Sequence, residues 1–109
     1  MSGPIVVLST VATREDAERI AGALVEGRLA ACVNVVPGLR SIYRWKGSVE
    51  HDDELLLVIK TRGERFAALS DVIRSLHPYE VPEMIVLPIA GGHAPYLQWL
   101  DESVSAREA

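Results

Sequence analysis

The densest group of chemically capable side chains is His77-Pro78-Tyr79-Glu80-Val81-Pro82-Glu83. Two prolines restrict the backbone, so an imidazole, a phenol and two carboxylates are presented with little conformational freedom. An imidazole with carboxylates suits a borderline divalent metal such as copper(II) or zinc, with His77, Glu80 and Glu83 as ligands. The competing expectation is structural: a stiff helix-to-strand connection in which His77 complements the helix C-terminus. A single chain supplies few soft ligands, and a symmetric oligomer would bring more from a second chain.

Cys32, the single cysteine, lies in Ala30-Ala31-Cys32-Val33-Asn34-Val35. It is either a small hydrophobe within a strand or a soft metal ligand, and the first reading is favoured because cysteine is among the most buried residue types. None of His51, His77 and His93 has another His or Cys at helical spacing, and no Cys-x-x-Cys occurs, so a structural zinc site within one chain is not expected. His51-Asp52-Asp53-Glu54 reads as a solvated turn or edge. The chain has no Gly-x-Ser-x-Gly, P-loop or dinucleotide spacing, so neither a serine nucleophile nor a phosphate cradle is indicated. Tyr43, Trp45, Lys60, Tyr79 and Trp99 could line a pocket or anchor an interface, and the interface is preferred.

The elements that must position these groups follow from periodicity. Pro4 to Val11 is a short apolar run, expected to be a strand buried on both faces. Thr13 caps a helix carrying Ala17, Ile20, Ala21, Leu24 and Val25 as its apolar stripe, and Gly27 ends it. Ala30 to Lys46 is rich in strand formers, with Pro37-Gly38 as a bulge or bend, and Gly47-Ser48 turns the chain back into Val49 to Thr61. Arg62-Gly63-Glu64 opens a second helix bearing Phe66, Leu69, Val72, Ile73 and Leu76, which Pro78 stops. Met84 to Ile89 is a further strand, Pro95 to Leu100 a short C-terminal helix, and the tail is polar from about Ser103.

This order is the split βαβ arrangement: an α+β sandwich, a four-stranded antiparallel sheet with two helices on one face. The arms of the central hairpin run 13 to 17 residues, whereas strands typically run about five or six. The hairpin must overhang the sheet, carrying Ile42, Tyr43, Trp45 and Val49, and those side chains call for a neighbouring subunit.

A chain of 109 residues that is 49% hydrophobic fits one domain, residues 1–109, and excludes disorder. A formal charge of -4 and scattered arginines argue against a nucleic-acid partner. No apolar stretch approaches the roughly 20 residues of a membrane span, and no secretory signal is recognised, which sets a cytoplasmic expectation.

Several ordered motifs resemble the CutA family of divalent-cation tolerance proteins over about residues 5 to 104. They include Ala30-Ala31-Cys32-Val33-Asn34, Ser41-Ile42-Tyr43-Arg44-Trp45-Lys46-Gly47, Glu54 with Leu56, Ile59-Lys60-Thr61, and the whole His77 to Glu83 motif. Leu87-Pro88-Ile89, Gly92, Tyr96-Leu97 and Trp99 complete them. The resemblance implies a ferredoxin-like fold and a homotrimer whose central hairpins extend neighbouring sheets. It implies a non-enzymatic role in tolerance of copper and other divalent metals. It also directs attention to clefts between subunits, at Cys32, Tyr43, Trp45, Lys60, His77, Tyr79 and Glu80. Some relatives carry a cysteine where Ser9 stands and a second histidine where Leu76 stands. Without them, copper(II) or zinc held weakly by His77, carboxylates and water is the expected metal chemistry. The alternatives are a PII-like small-molecule sensor with its ligand in the inter-subunit clefts, where Tyr43, Trp45 and Lys60 would stack on it and neutralise it, and a structural trimer acting through another protein.

Overall fold

The computed structural model describes residues 1–105; the end of the expected polar tail lies outside them. The elements are β1 (Pro4–Val11), α1 (Arg14–Glu26), β2 (Cys32–Trp45), β3 (Ser48–Arg62), α2 (Phe66–Leu76), β4 (Ile85–Pro88) and α3 (Ala94–Ser103). The strands form one antiparallel sheet in the order β2-β3-β1-β4. This is the ferredoxin-like α+β sandwich expected from the order of elements.

Local signals set most boundaries. The Thr13 Oγ1 accepts the Asp16 N–H at 3.1 Å, and Gly27 closes α1 by donating to the Ala23 carbonyl. Ala17, Ile20 and Leu24 are buried, but Val25 is exposed, at the margin of the stripe. A single 3₁₀ turn, Gly63–Arg65, precedes α2, which therefore starts at Phe66 and ends before His77-Pro78. Pro37-Gly38 produces a bulge where the β2–β3 register shifts between Val36 and Leu39. The hairpin reverses at Lys46-Gly47 rather than Gly47-Ser48. Trp45 pairs with Ser48, and both turn residues have positive φ, 51° and 84°. Such a two-residue turn matches the twist of the flanking strands.

β1 alternates instead of being buried on both faces. Ile5 and Val7 join Leu57, Ile59, Ile20, Leu24, Leu69 and Ile73 in the core beneath α1 and α2. Val6 and Leu8, pointing to the other face, remain half-buried. On that face, β4 presents Ile85 and Leu87 at 47% and 46% exposure, and β2 presents Val36 at 43%. A continuous apolar run predicts cover on both sides, and a single chain covers only one. α3 docks at the end of the sheet near Arg62 through Leu100 and Val104, which pack with Ala31 and Ile89, and through an Arg62–Asp101 ion pair at 2.8 Å. Helix α3 outruns its expected end, and the buried Val104 beyond it belongs to the fold rather than to a polar tail.

β1 pairs with β3 only from Leu55 to Arg62, whereas β2 follows β3 to its first residue, Ser48. Ser48 to Glu54 therefore has a neighbour on one side only, and the hairpin projects, stretching the molecule to 46 × 26 × 24 Å. The two sheet edges differ: β2 has 14 residues and β4 has four.

Candidate functional site

Where the hairpin leaves the sheet, the connection from α2 to β4 folds against it. His77 caps α2, its N–H donating to the Ile73 carbonyl at 2.8 Å, and its ring is buried. The ring's Nε2 lies 2.7 Å from the Thr10 carbonyl near the end of β1, and Nδ1 accepts the Tyr79 N–H at 3.1 Å. A carbonyl only accepts, so Nε2 carries the proton and the Nδ1 lone pair is already committed. The His77 ring packs on Tyr79, centroids 4.5 Å apart. Tyr79 in turn donates its hydroxyl to Glu54 Oε2 at 2.5 Å.

Thr10, Glu54 and Tyr79 of this network line a cleft of about 570 Å³. Its walls are Tyr43, Trp45 and Tyr79, with Ile42 and Val81, and its acidic groups are Glu54, Glu80 and Glu83. Thr10 and Ser41 complete it, so no lining side chain is basic. Tyr43 hydrogen-bonds Asp52, whose carboxylate pushes the phenol's pKa up to about 12. Burial, reinforced by Glu54, raises that of Tyr79 further. Both phenols stay neutral donors at ordinary pH. At the rim, the Lys46 ammonium lies 3.7 Å from Glu80 Oε1 and 5.6 Å from the Trp45 ring centroid.

The structure thus brings together Tyr43, Trp45, Tyr79, Glu80 and Glu83, with His77 packed behind Tyr79. It separates Cys32, Lys60 and Trp99. Cys32 faces Lys60 across the β2–β3 pair, and the Lys60 ammonium bonds Asn34. Trp99 on α3 stacks with Tyr96 at 5.4 Å, and Tyr96, its pKa raised by burial, lies within electrostatic reach of Cys32. Cys32 begins the 14-residue β2, and Ser41 on the same strand lies about 30 Å away at strand spacing. Within one chain, Lys60 therefore lies well away from Tyr43 and Trp45.

The expected metal donors do not fit a preformed site within one chain. Both His77 nitrogens are used, Cys32 is remote, and among the described residues no group of three or more His, Cys, Asp or Glu could hold a metal ion.

Glu54 was the residue most undervalued by sequence reasoning, which placed it in a solvated turn or edge. It is only 6% exposed, within β3 at the point where β1 stops. The available signal was its place at the head of a strand whose same-face residues, Leu56 and Val58, are apolar.

A ferredoxin-like sandwich with a projecting hairpin and an acidic, aromatic cleft defines a small α+β domain built around one face and one overhang. The chain belongs to the CutA1 divalent ion tolerance protein family, whose model matches residues 5–103. The Divalent-cation tolerance protein CutA of Thermus thermophilus is 58% identical over 98 residues, covering 90% of this chain and 95% of that protein. Protein CutA 1, chloroplastic, of Oryza sativa is 50% identical over 99 residues, and the chain spans 91% of its own length but 56% of the rice protein. The solved Thermus thermophilus Cut A1 structure superposes with a TM-score of 0.91 at 56% identity, covering 94% of this chain and 99% of that one. No helix among the described residues is long and apolar enough to cross a membrane.

Proposed function

We propose that this chain is the subunit of a non-enzymatic homotrimer serving divalent-cation tolerance, and that it holds copper(II) or zinc weakly through Glu80 and Glu83 with water. The observation that carries the assembly is the sheet face opposite α1 and α2. Val6, Leu8, Val36, Leu56, Val58, Ile85 and Leu87 have no complete cover there, and Ile42 and Val49 stand 64% and 55% exposed on the overhang. Apolar surface of this kind, continuous over a sheet, is the mark of an interface. The number three comes from the family resemblance.

The metal reading rests on the family's divalent-ion tolerance description and on the exposed carboxylates of the cleft. His77 is left out because its lone pair is committed. The test is the solution mass across dilution together with copper(II) titration. A mass three times 11.9 kDa, with binding kept in His77→Ala and lost in Glu80→Gln/Glu83→Gln, is expected. A single-chain mass at micromolar concentration sinks the trimer, and loss of copper only in His77→Ala sinks the ligand assignment.

A further inference from the structure

Helix α3 is attached and seated differently from α1 and α2. It follows Ala90 to His93, four exposed residues without regular structure that include Gly91-Gly92. A Cβ at Gly91 would meet nothing, so the link is open as well as intrinsically free to turn. The buried side chains of α3 and its end, Leu100 and Val104, seat on Ala31 and Ile89. That cluster is separate from the main core, which holds Ala17, Ile20 and Leu24 of α1 and Leu69 and Ile73 of α2. Tyr96 and Trp99, the largest side chains of α3, stay exposed.

Left to itself, this helix would not hold. Its 10 residues are too few for a stable helix in water. Asp101 and Glu102 lie in its last turn, at the negative end of the helix dipole, and no basic residue of α3 stands there. The opposing charge comes from other elements. Arg62, the last residue of β3, pairs with Asp101 at 2.8 Å while also bonding Glu64. Arg65, in the 3₁₀ turn before α2, donates from Nε to the Val104 carbonyl at 2.9 Å. Arg28, just beyond α1, holds a φ of 58°, in the left-handed region that favours glycine, and its Nη1 stands 3.5 Å from the Ser103 carbonyl. The C-terminal turn of α3 thus meets guanidinium groups from three separate segments.

We propose that α3 is a latched arm. It is helical while docked on Arg62 and Arg65, and it releases about Gly91-Gly92, melting as it leaves, while the sheet, α1 and α2 stay folded. Segments that bury few apolar side chains open locally at a lower free energy than the whole fold. Salt works the latch, because it screens the exposed ion pair and the attraction between the guanidinium groups and the helix end. The inference requires neither the trimer nor the metal, since every contact it uses lies within one chain.

The experiment is amide hydrogen exchange on the full chain in about 0.1 M and about 1 M sodium chloride, at a protein concentration where the mass is the same in both. After correction for intrinsic rates, amides from Leu97 to Val104 are expected to exchange about fivefold faster at the higher salt, and those of β1 and α1 to keep their rates. At the lower salt, Asp101→Asn and Arg65→Gln should each speed exchange in α3 several-fold and blunt its salt response. Leu100→Ala should also speed it but leave the salt response intact, which separates the latch from packing alone. Arg74→Gln, which breaks an ion pair on α2, should leave α3 unchanged. Equal exchange in α3 at the two salt concentrations, exchange of α3 only together with the core, or a full salt response in the Asp101→Asn/Arg65→Gln double variant overturns the proposal.

Discussion

The Tyr79 hydroxyl donates to Glu54 Oε2 at 2.5 Å, across 25 positions of sequence. This bond joins the α2–β4 connection to the root of the projecting hairpin. Tyr79→Phe keeps the ring and deletes the bond to a carboxylate, so it should cost about 1.5–3 kcal/mol. Urea unfolding at fixed protein concentration checks this, since an associating protein's stability depends on concentration. A double-mutant cycle with Glu54→Gln should return a coupling of at least about 0.5 kcal/mol; strict additivity would mean the two side chains act independently.

His77→Ala removes a buried ring that satisfies both the Thr10 carbonyl and the Tyr79 N–H. Loss of either bond leaves a polar group wanting a partner at about 1–3 kcal/mol. We expect a destabilisation in or above that range, and faster amide exchange at Tyr79. A variant as stable as the parent would show that water replaces the ring without penalty.

Ser9 points into the core, wholly buried, and its Oγ has no hydrogen-bond partner among the described residues. Ser9→Ala removes that orphan hydroxyl and should raise stability by about 1 kcal/mol. The urea midpoint should increase at an unchanged slope. A fall of similar size would reveal a partner for the hydroxyl.

All three tyrosines have raised pKa values, with Tyr43 pushed up to about 12 by Asp52. In the folded protein, phenolate absorbance should therefore develop well above pH 10, whereas the urea-unfolded chain should titrate near the ordinary value of about 10. The sign follows from linkage. A folded-state pKa above the unfolded value gives stability that is complete below about pH 10 and is lost as pH rises through the folded pKa. Stability should fall with pH in that window, and Tyr43→Phe should reduce the slope near pH 12. Titration of all three tyrosines near pH 10 in the folded protein would contradict this.

Helix caps and stripes were legible because Thr13, Gly27 and Pro78 act within one turn of their own positions. The bulge at Pro37-Gly38 was legible for the same reason. The cleft was half legible: Tyr43, Trp45, Tyr79, Glu80 and Glu83 carry suggestive chemistry in two short motifs. What joins them is strand pairing, and sequence spacing does not report it. Glu54 reaches Tyr79 only because β3 continues past the last residue of β1, and Lys60 is removed from Trp45 only because both lie far apart along the same hairpin. The state of His77 was illegible for a different reason. A side chain that looks like a ligand loses that capacity when a carbonyl from a distant strand fixes its tautomer.

The unequal edges of the sheet constrain how copies of this chain could join through their strands. A four-residue β4 offers a short stretch of free backbone, interrupted at its end by Pro88, and the 14-residue β2 offers a long one. Joining the long edge of one copy to the short edge of the next is a head-to-tail contact, because each copy contributes a different surface. Such contacts either close into a ring or propagate as a fibre. A closed ring leaves no terminal copy with free edges of both kinds, so in that arrangement closure itself is the protection against runaway polymerisation.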